Sequence, residues 1–175
     1  MTEGVARAKA LLDDAARALD AADARDEALG EYTEPKALLG IRRDPTIRSL
    51  GRVWRVGALL LGSSPETAGR VWATGRITRV TEPGRSQFVS VSAEVRRAYR
   101  AAAQKGHFAP GDTVNHSATP IPLDETLVGS GGVLFVDGDE PFVRWSPTAG
   151  DAVPLEGYLA DRVSLLVDPP KGATD

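Results

Sequence analysis

Apolar residues near the start of the chain fall at alternating gaps of three and four: Val5, Ala8, Leu12, Ala15, Leu19 and Ala22, with Asp and Arg on the other side. That period puts them on one stripe and predicts a helix over residues 3–29. Thr2 stands at the N-cap, Glu3 suits the positive end of the helix dipole, and Gly30 is a natural stop. The stripe is narrow and rich in alanine, so it suits close packing on the protein's own sheet. The alternative is a coiled coil with a second copy, for which the stripe is short.

From residue 50 the pattern turns to strand. Gly51-Arg-Val-Trp-Arg-Val-Gly57 and Gly69-Arg-Val-Trp-Ala-Thr-Gly75 share a motif 18 residues apart, with turn-forming residues 62–68 between them. The reading is one long antiparallel hairpin over 50–80 in which residue numbers summing to about 131 lie opposite each other. Trp54, Val56, Ala58, Leu60, Val71, Ala73 and Ile77 then share the core face, and Arg55, Leu59, Trp72, Thr74 and Arg76 the other. Arg55 facing Arg76 beside Trp72 is a candidate anion site. The bland readings are a register slip or pairing with acids of the same chain.

The remaining elements follow in order. Ala37–Ile41 suits a short edge strand. A second helix is expected over 91–105, with Val91, Val95, Ala98, Tyr99 and Ala102 inward and Gly106 as its stop. Residues 106–132, broken by glycine and proline, read as a long loop that wraps the body; His116 lies in it, the first place to look for a ligand contact. A hairpin over 133–145 turns on Asp137-Gly138, and a last helix runs over 152–167. The expected fold is a single α+β domain. It has one twisted antiparallel sheet of four to five strands, with helices mainly on the face that holds Trp54 and Ile77.

Charge is small in total, −3, but uneven: −5 over residues 1–35, +10 over 36–105 and −8 over 106–175. The acidic ends folding back over the basic middle explains this better than nucleic acid, whose binding domains are usually basic overall. The chain has no cysteine, which excludes disulfides, thiolate chemistry and Cys-based zinc sites. No apolar run is long enough to span a bilayer and no signal peptide is read at residues 1–4, so the cytoplasm is the default compartment.

Most catalytic signatures are missing. No Ser-x-x-Lys, Gly-x-Ser-x-Gly or phosphate-loop lysine occurs. The two histidines, His107 and His116, are nine apart, a spacing that makes no helix-face metal pair. A set assembled in space from His107, Asp112 and His116, or an acid–base pair of His116 with Asp124, has no support from spacing. No catalytic residue, metal or cofactor is assigned. The ligand-contact candidates are Arg55, Trp72, Arg76 and His116.

Four segments, Gly51-Arg-Val-Trp-Arg-Val-Gly-Ala-Leu-Leu-Leu61, Ser90-Val-Ser-Ala-Glu-Val-Arg-Arg97, Ile121-Pro-Leu-Asp124 and Val143-Arg-Trp-Ser-Pro147, resemble a set of short bacterial proteins, some labelled glutaminase. The resemblance implies amide hydrolysis. It carries no catalytic residue across, because serine-dependent glutaminases need a Ser-x-x-Lys and amidotransferase types a cysteine. The leading functional reading is a non-catalytic binding or protein-interaction module, with a homo-oligomer, a protein partner or an anionic small molecule as partner. A small hydrolase walled by the 106–132 loop, and nucleic-acid or anion binding through the arginine-rich middle, are the alternatives.

Overall fold

The computed structural model describes residues 2–34, 45–80, 91–145 and 152–170, with backbone alone at 91 and 92. The elements in order are α1 (Glu3–Ala21), β1 (Glu27–Thr33), β2 (Thr46–Val56), β3 (Leu59–Gly62), β4 (Val71–Ala73), β5 (Arg76–Arg79), α2 (Val91–Lys105), β6 (Thr113–His116), β7 (Thr119–Ile121), a 3-10 turn (Glu125–Leu127), β8 (Leu134–Asp137), β9 (Glu140–Arg144), β10 (Ala152–Pro154) and α3 (Leu155–Val167). Seven strands form one sheet in the order β5-β6-β1-β2-β3-β4-β7, and β10-β9-β8 form a second. The α+β class holds. The sheet of four to five antiparallel strands does not: the large sheet has seven, and β1 pairs β6 in parallel.

The large sheet closes on itself. β4 pairs β7 with Val71 opposite Ile121 and Ala73 opposite Thr119, and β5 pairs β6 with Arg76 opposite His116 and Arg79 opposite Thr113. Both ladders keep a single register. Only Thr74 and Gly75 separate β4 from β5, and only Ser117 and Ala118 separate β6 from β7. At that break a Cβ on Gly75 would strike the carbonyls of His116 and Ser117. The two ends of the sheet are therefore halves of one bent antiparallel ladder, and the strands make a barrel.

Strand alternation sorts side chains into and out of this barrel. Leu29, Val53, Leu60 and Trp72 form a buried cluster on the inner face. On the outer face Trp54, Val56, Leu59, Leu61 and Val71 meet Val5, Ala8, Leu12 and Leu19 of α1, Leu155 and Leu159 of α3, and Val136 and Val143 of the small sheet. Further round the wall, Ala28, Ile47 and Val114 meet Ala102 and Ala103 of α2. α1 is thus sandwiched, and its alanine-rich stripe lets it sit close. Val95, expected inward on α2, is exposed.

The long hairpin over 50–80 is replaced by a meander. β2 turns into β3 at Gly57-Ala58, with Val56 opposite Leu59. Gly57 has φ 68 and is the only central residue with positive φ, as a type II′ turn requires. β3 then pairs β4, Leu60 opposite Trp72. The two Gly-Arg-Val-Trp copies are consequently separated by β3, with Trp54 outside the barrel and Trp72 inside. Leu59 and Leu60 exchange the faces expected of them, and Ile77 is 58% exposed rather than core.

The first helix stops at Ala21, short of residue 29. Asp23, at φ 49, takes the left-handed position; its N–H donates to the Asp20 carbonyl and that of Ala24 to the Leu19 carbonyl, both at 3.0 Å. This is a Schellman ending with Asp in place of glycine. Residues 27–33 are freed to become β1, whose two ladders outweigh the helical period. The loop expected over 106–132 contains β6, β7 and the 3-10 turn, strands of three or four residues too short to show a period. Residues 152–154, expected helical, form β10. The expected strand at Ala37–Ile41 lies outside the described residues.

Tyr158 of α3 staples the Gly57 turn. Its Oη accepts from Ala58 N at 2.6 Å and donates to the Val56 carbonyl at 3.0 Å. A Cβ on Gly57 would collide with that hydroxyl. Replacing Tyr158 by Phe strands a buried donor and acceptor together, and urea unfolding should record a loss of about 1–3 kcal/mol.

Candidate functional site

The four ligand-contact candidates are split between the two sides of the barrel wall. Arg55 and Trp72 lie on the inner side, both opposite Leu60. Trp72 is closed in by Leu29, Val53 and Leu60, with the Arg70 guanidinium 5.1 Å from its ring centre. Arg55 Nε donates to Glu27 Oε2 at 3.3 Å and its Nη2 to Asn115 Oδ1. Asn115 in turn donates to Glu27 Oε2 at 2.7 Å and to the Ala28 carbonyl at 3.2 Å. The anion of Arg55 is thus a carboxylate of its own chain. Arg76 stands on the outer side, opposite His116. The expected facing of Arg55 with Arg76 is overturned, because the turn at Gly57 interposes β3 and sends the two arginines to different faces. The anion site built on Arg55, Trp72 and Arg76 is not assembled.

His116 and Arg76 do come together, under α2. The His116 side chain is fully buried, its ring centre 4.6 Å from that of Tyr99 and 6.0 Å from that of Tyr32. Its Nδ1 lies 3.1 Å from Ser117 Oγ, and its Nε2 has no hydrogen-bond partner among the described residues. Arg76 lies over the Tyr99 ring and donates to the Tyr99 hydroxyl. Burial first, and the Arg76 charge second, hold the imidazole below its usual range. His116 does not pair with Asp124, which accepts from Thr126 N and Oγ1 and caps the 3-10 turn. Those bonds hold the Asp124 carboxyl below its usual range. His107 is exposed at the end of α2, and among the described residues no three His, Asp or Glu side chains are grouped to hold a metal.

A concavity lies elsewhere. A cleft of about 870 Å³ opens between the C-terminal ends of α1 and α3 and one end of the barrel. Its base is a fixed polar network. Arg52 Nε donates to Asp26 Oδ1 at 2.6 Å and Nη2 to the Asp26 carbonyl at 3.1 Å, while Nη1 lies 3.6 Å from Asp112 Oδ2. Ser63 Oγ donates to Asp26 Oδ2 at 2.8 Å. Trp54 lies alongside, its Nε1 donating to the Ala24 carbonyl at 3.0 Å, and Leu166, Pro169 and Pro170 make an apolar wall.

Charge in the cleft is lopsided. Asp20, Asp23, Asp26, Glu27 and Asp112 line it against Arg25, Arg52 and Arg79. Asp20, Asp23, Arg25 and Arg79 make no ion pair among the described residues. Both helices present their negative dipole ends here, and neither has a basic residue in its last turn. Sequence reading missed this site. The signal in the chain is Asp20-x-x-Asp23-x-x-Asp26, acids crowded where a helix end disfavours them.

Among the described residues no helix is long and apolar enough to cross a membrane. The Asp26–Arg52 pair is the element of the cleft most open to direct measurement. Its side chains are 28% and 40% exposed, so solvent screens it, and a double-mutant cycle with Asp26→Ala and Arg52→Ala should give a coupling of about 1 kcal/mol. Comparison of the chain with protein-family models, with curated proteins and with solved structures finds no match in any of the three.

Proposed function

We propose that the protein is a non-catalytic binding module whose ligand is a small organic molecule bearing a positive group, held in the cleft between the ends of α1 and α3. The observation that carries this reading is the cleft itself, about 870 Å³ with a base already braced by Asp26, Arg52 and Asp112. That volume falls within the range of small-molecule sites, roughly 300–1,000 Å³. A braced base lowers the ordering cost of binding.

The charge of the ligand follows from the acids of the rim. The carboxylates of Asp20 and Asp23, which make no ion pair among the described residues, stand at the negative end of α1, where a cation relieves both the side-chain repulsion and the unfavourable dipole. Trp54 and the proline wall offer apolar cover to the ligand's carbon skeleton. Arg25 and Arg79 leave room for a carboxylate on the same ligand, so an amino-acid-like zwitterion fits as well as a polyamine. The non-catalytic part rests on the lining, which among the described residues contains no His, Lys or Tyr. Its Ser63 hydroxyl already donates to Asp26 Oδ2, and Asp26 is engaged by Arg52 as well. A serine so placed lacks the adjacent free base that nucleophilic catalysis needs.

Thermal unfolding with spermidine, free arginine and citrate as probes tests this. A ligand at a hundred times its Kd stabilises the native state by about 2.7 kcal/mol. Spermidine or arginine should raise Tm of the parent protein, citrate should not, and the Asp20→Asn/Asp23→Asn variant should lose the response. The probes should be recovered unchanged by mass spectrometry. No shift with either cationic probe, or an undiminished shift in the double variant, rejects the site.

A further inference from the structure

We propose that His116 is an acid-operated latch on α2: protonation of its imidazole in mild acid loosens α2 from the barrel wall while the barrel, α1 and α3 stay folded. The starting point is an orphaned polar atom. His116 is fully buried, yet its Nε2 finds no partner among the described residues. A buried polar atom without a bond is uncommon and calls for a reason.

The surroundings supply one. From β1 comes Tyr32, from α2 Tyr99, from β5 Arg76, and from the chain itself Ser117. The nearest charge is the Arg76 cation, and no carboxylate touches the ring among these neighbours. The Tyr32 hydroxyl is held above its usual range, by desolvation first, so no phenolate offsets a charge there. Glu34 acts on Tyr32 rather than on His116. An imidazolium formed in place would be a second, unpaired cation beside Arg76, in a position sealed from water. Such a charge is costly, and the structure must open to solvate it.

α2 is the element that can open. Its inward face among the described residues is Tyr99 with Ala102 and Ala103, and the Tyr99 ring lies directly against the imidazole. β1 and β5, by contrast, are held by backbone ladders to β6 on either side. The sign follows from the lowered pKa of the folded state. The latch holds fully above the pKa of a free imidazole, about 6.5, and its contribution is lost as pH falls through the lower value of the buried ring.

Backbone hydrogen exchange between pH 7.5 and 5.0, corrected for the intrinsic pH dependence of exchange, reads this by segment. Protection of α2 should fall about tenfold for each pH unit by which the buried imidazole is depressed, starting below about pH 6.5, while α1 and α3 keep theirs. His116→Asn should remove the pH dependence, and Arg76→Gln should shrink it. In a His107→Asn background the single imidazole NMR signal should titrate below 6.5. This last measurement stands even where His116→Asn does not fold. An α2 that keeps its protection at pH 5.0, an unchanged loss in His116→Asn, α1 and α3 loosening in step, or an imidazole titrating at or above 6.5 each overturns the latch.

Discussion

Everything in this protein is hung on β1 pairing with two strands at once. On one side it runs antiparallel to β2, on the other parallel to β6, and the second ladder is what closes the sheet. Parallel pairing needs a long crossover, here everything from β2 to α2. The polar group that secures it is Asn115, buried on β6, which donates both to the Ala28 backbone and to Glu27 while accepting from Arg55. One amide thus ties β6, β1 and β2 together. Being buried, it is satisfied by charged partners a quarter exposed, a low-cost arrangement compared with a fully buried ion pair.

Closure divides the chemistry of the chain. The inner face holds Trp72 with three aliphatic side chains and the Arg55 network at one end. The outer face has to be covered, and it is covered by different means in different sectors. Over β2, β3 and β4 the cover is alanine-rich α1 and leucine-rich α3 with the small sheet behind them. Over β5, β6, β1 and the start of β2 it is α2, presenting alanines and Tyr99. The cleft lies where α1 and α3 run out, and the buried histidine lies under α2. Binding and acid response are therefore read as properties of separate sectors of one wall.

The cleft also shows how a stable base and an uncommitted rim arise from the same short stretch. Asp26 is spent on Arg52 and Ser63, joining the chain after α1 to β2 and to the end of β3. Asp20 and Asp23, earlier in the same stretch, have no such partner among the described residues. A helix end with acids and no compensating base is less stable than it could be. Functional positions commonly carry such local costs, which the packed wall behind them offsets.

The sequence by itself determined the elements whose signals are local. The stripe Val5 to Leu19, the second helix over 91–105, the hairpin turning on Asp137-Gly138, and the burial of Trp54 with Val56 and Val71 all follow from period, capping and turn residues acting over a few positions. The limits of that reading are equally physical. Residues 22–29 fit a helical period, and only the ladders of β1 with distant strands make them part of a sheet. The apolar run from Val56 to Leu61 reads as one strand, and Gly57 divides it because Tyr158, from the far end of the chain, fits only against a residue without a side chain. β6 and β7 have no pattern of their own. Of the four candidate contacts, Arg76 and His116 are neighbours, while Arg55 and Trp72 were sent inside the barrel by a register that no local signal specifies. The cleft belongs wholly to the tertiary structure, since its walls are the ends of elements more than a hundred residues apart, brought side by side only when the sheet closes.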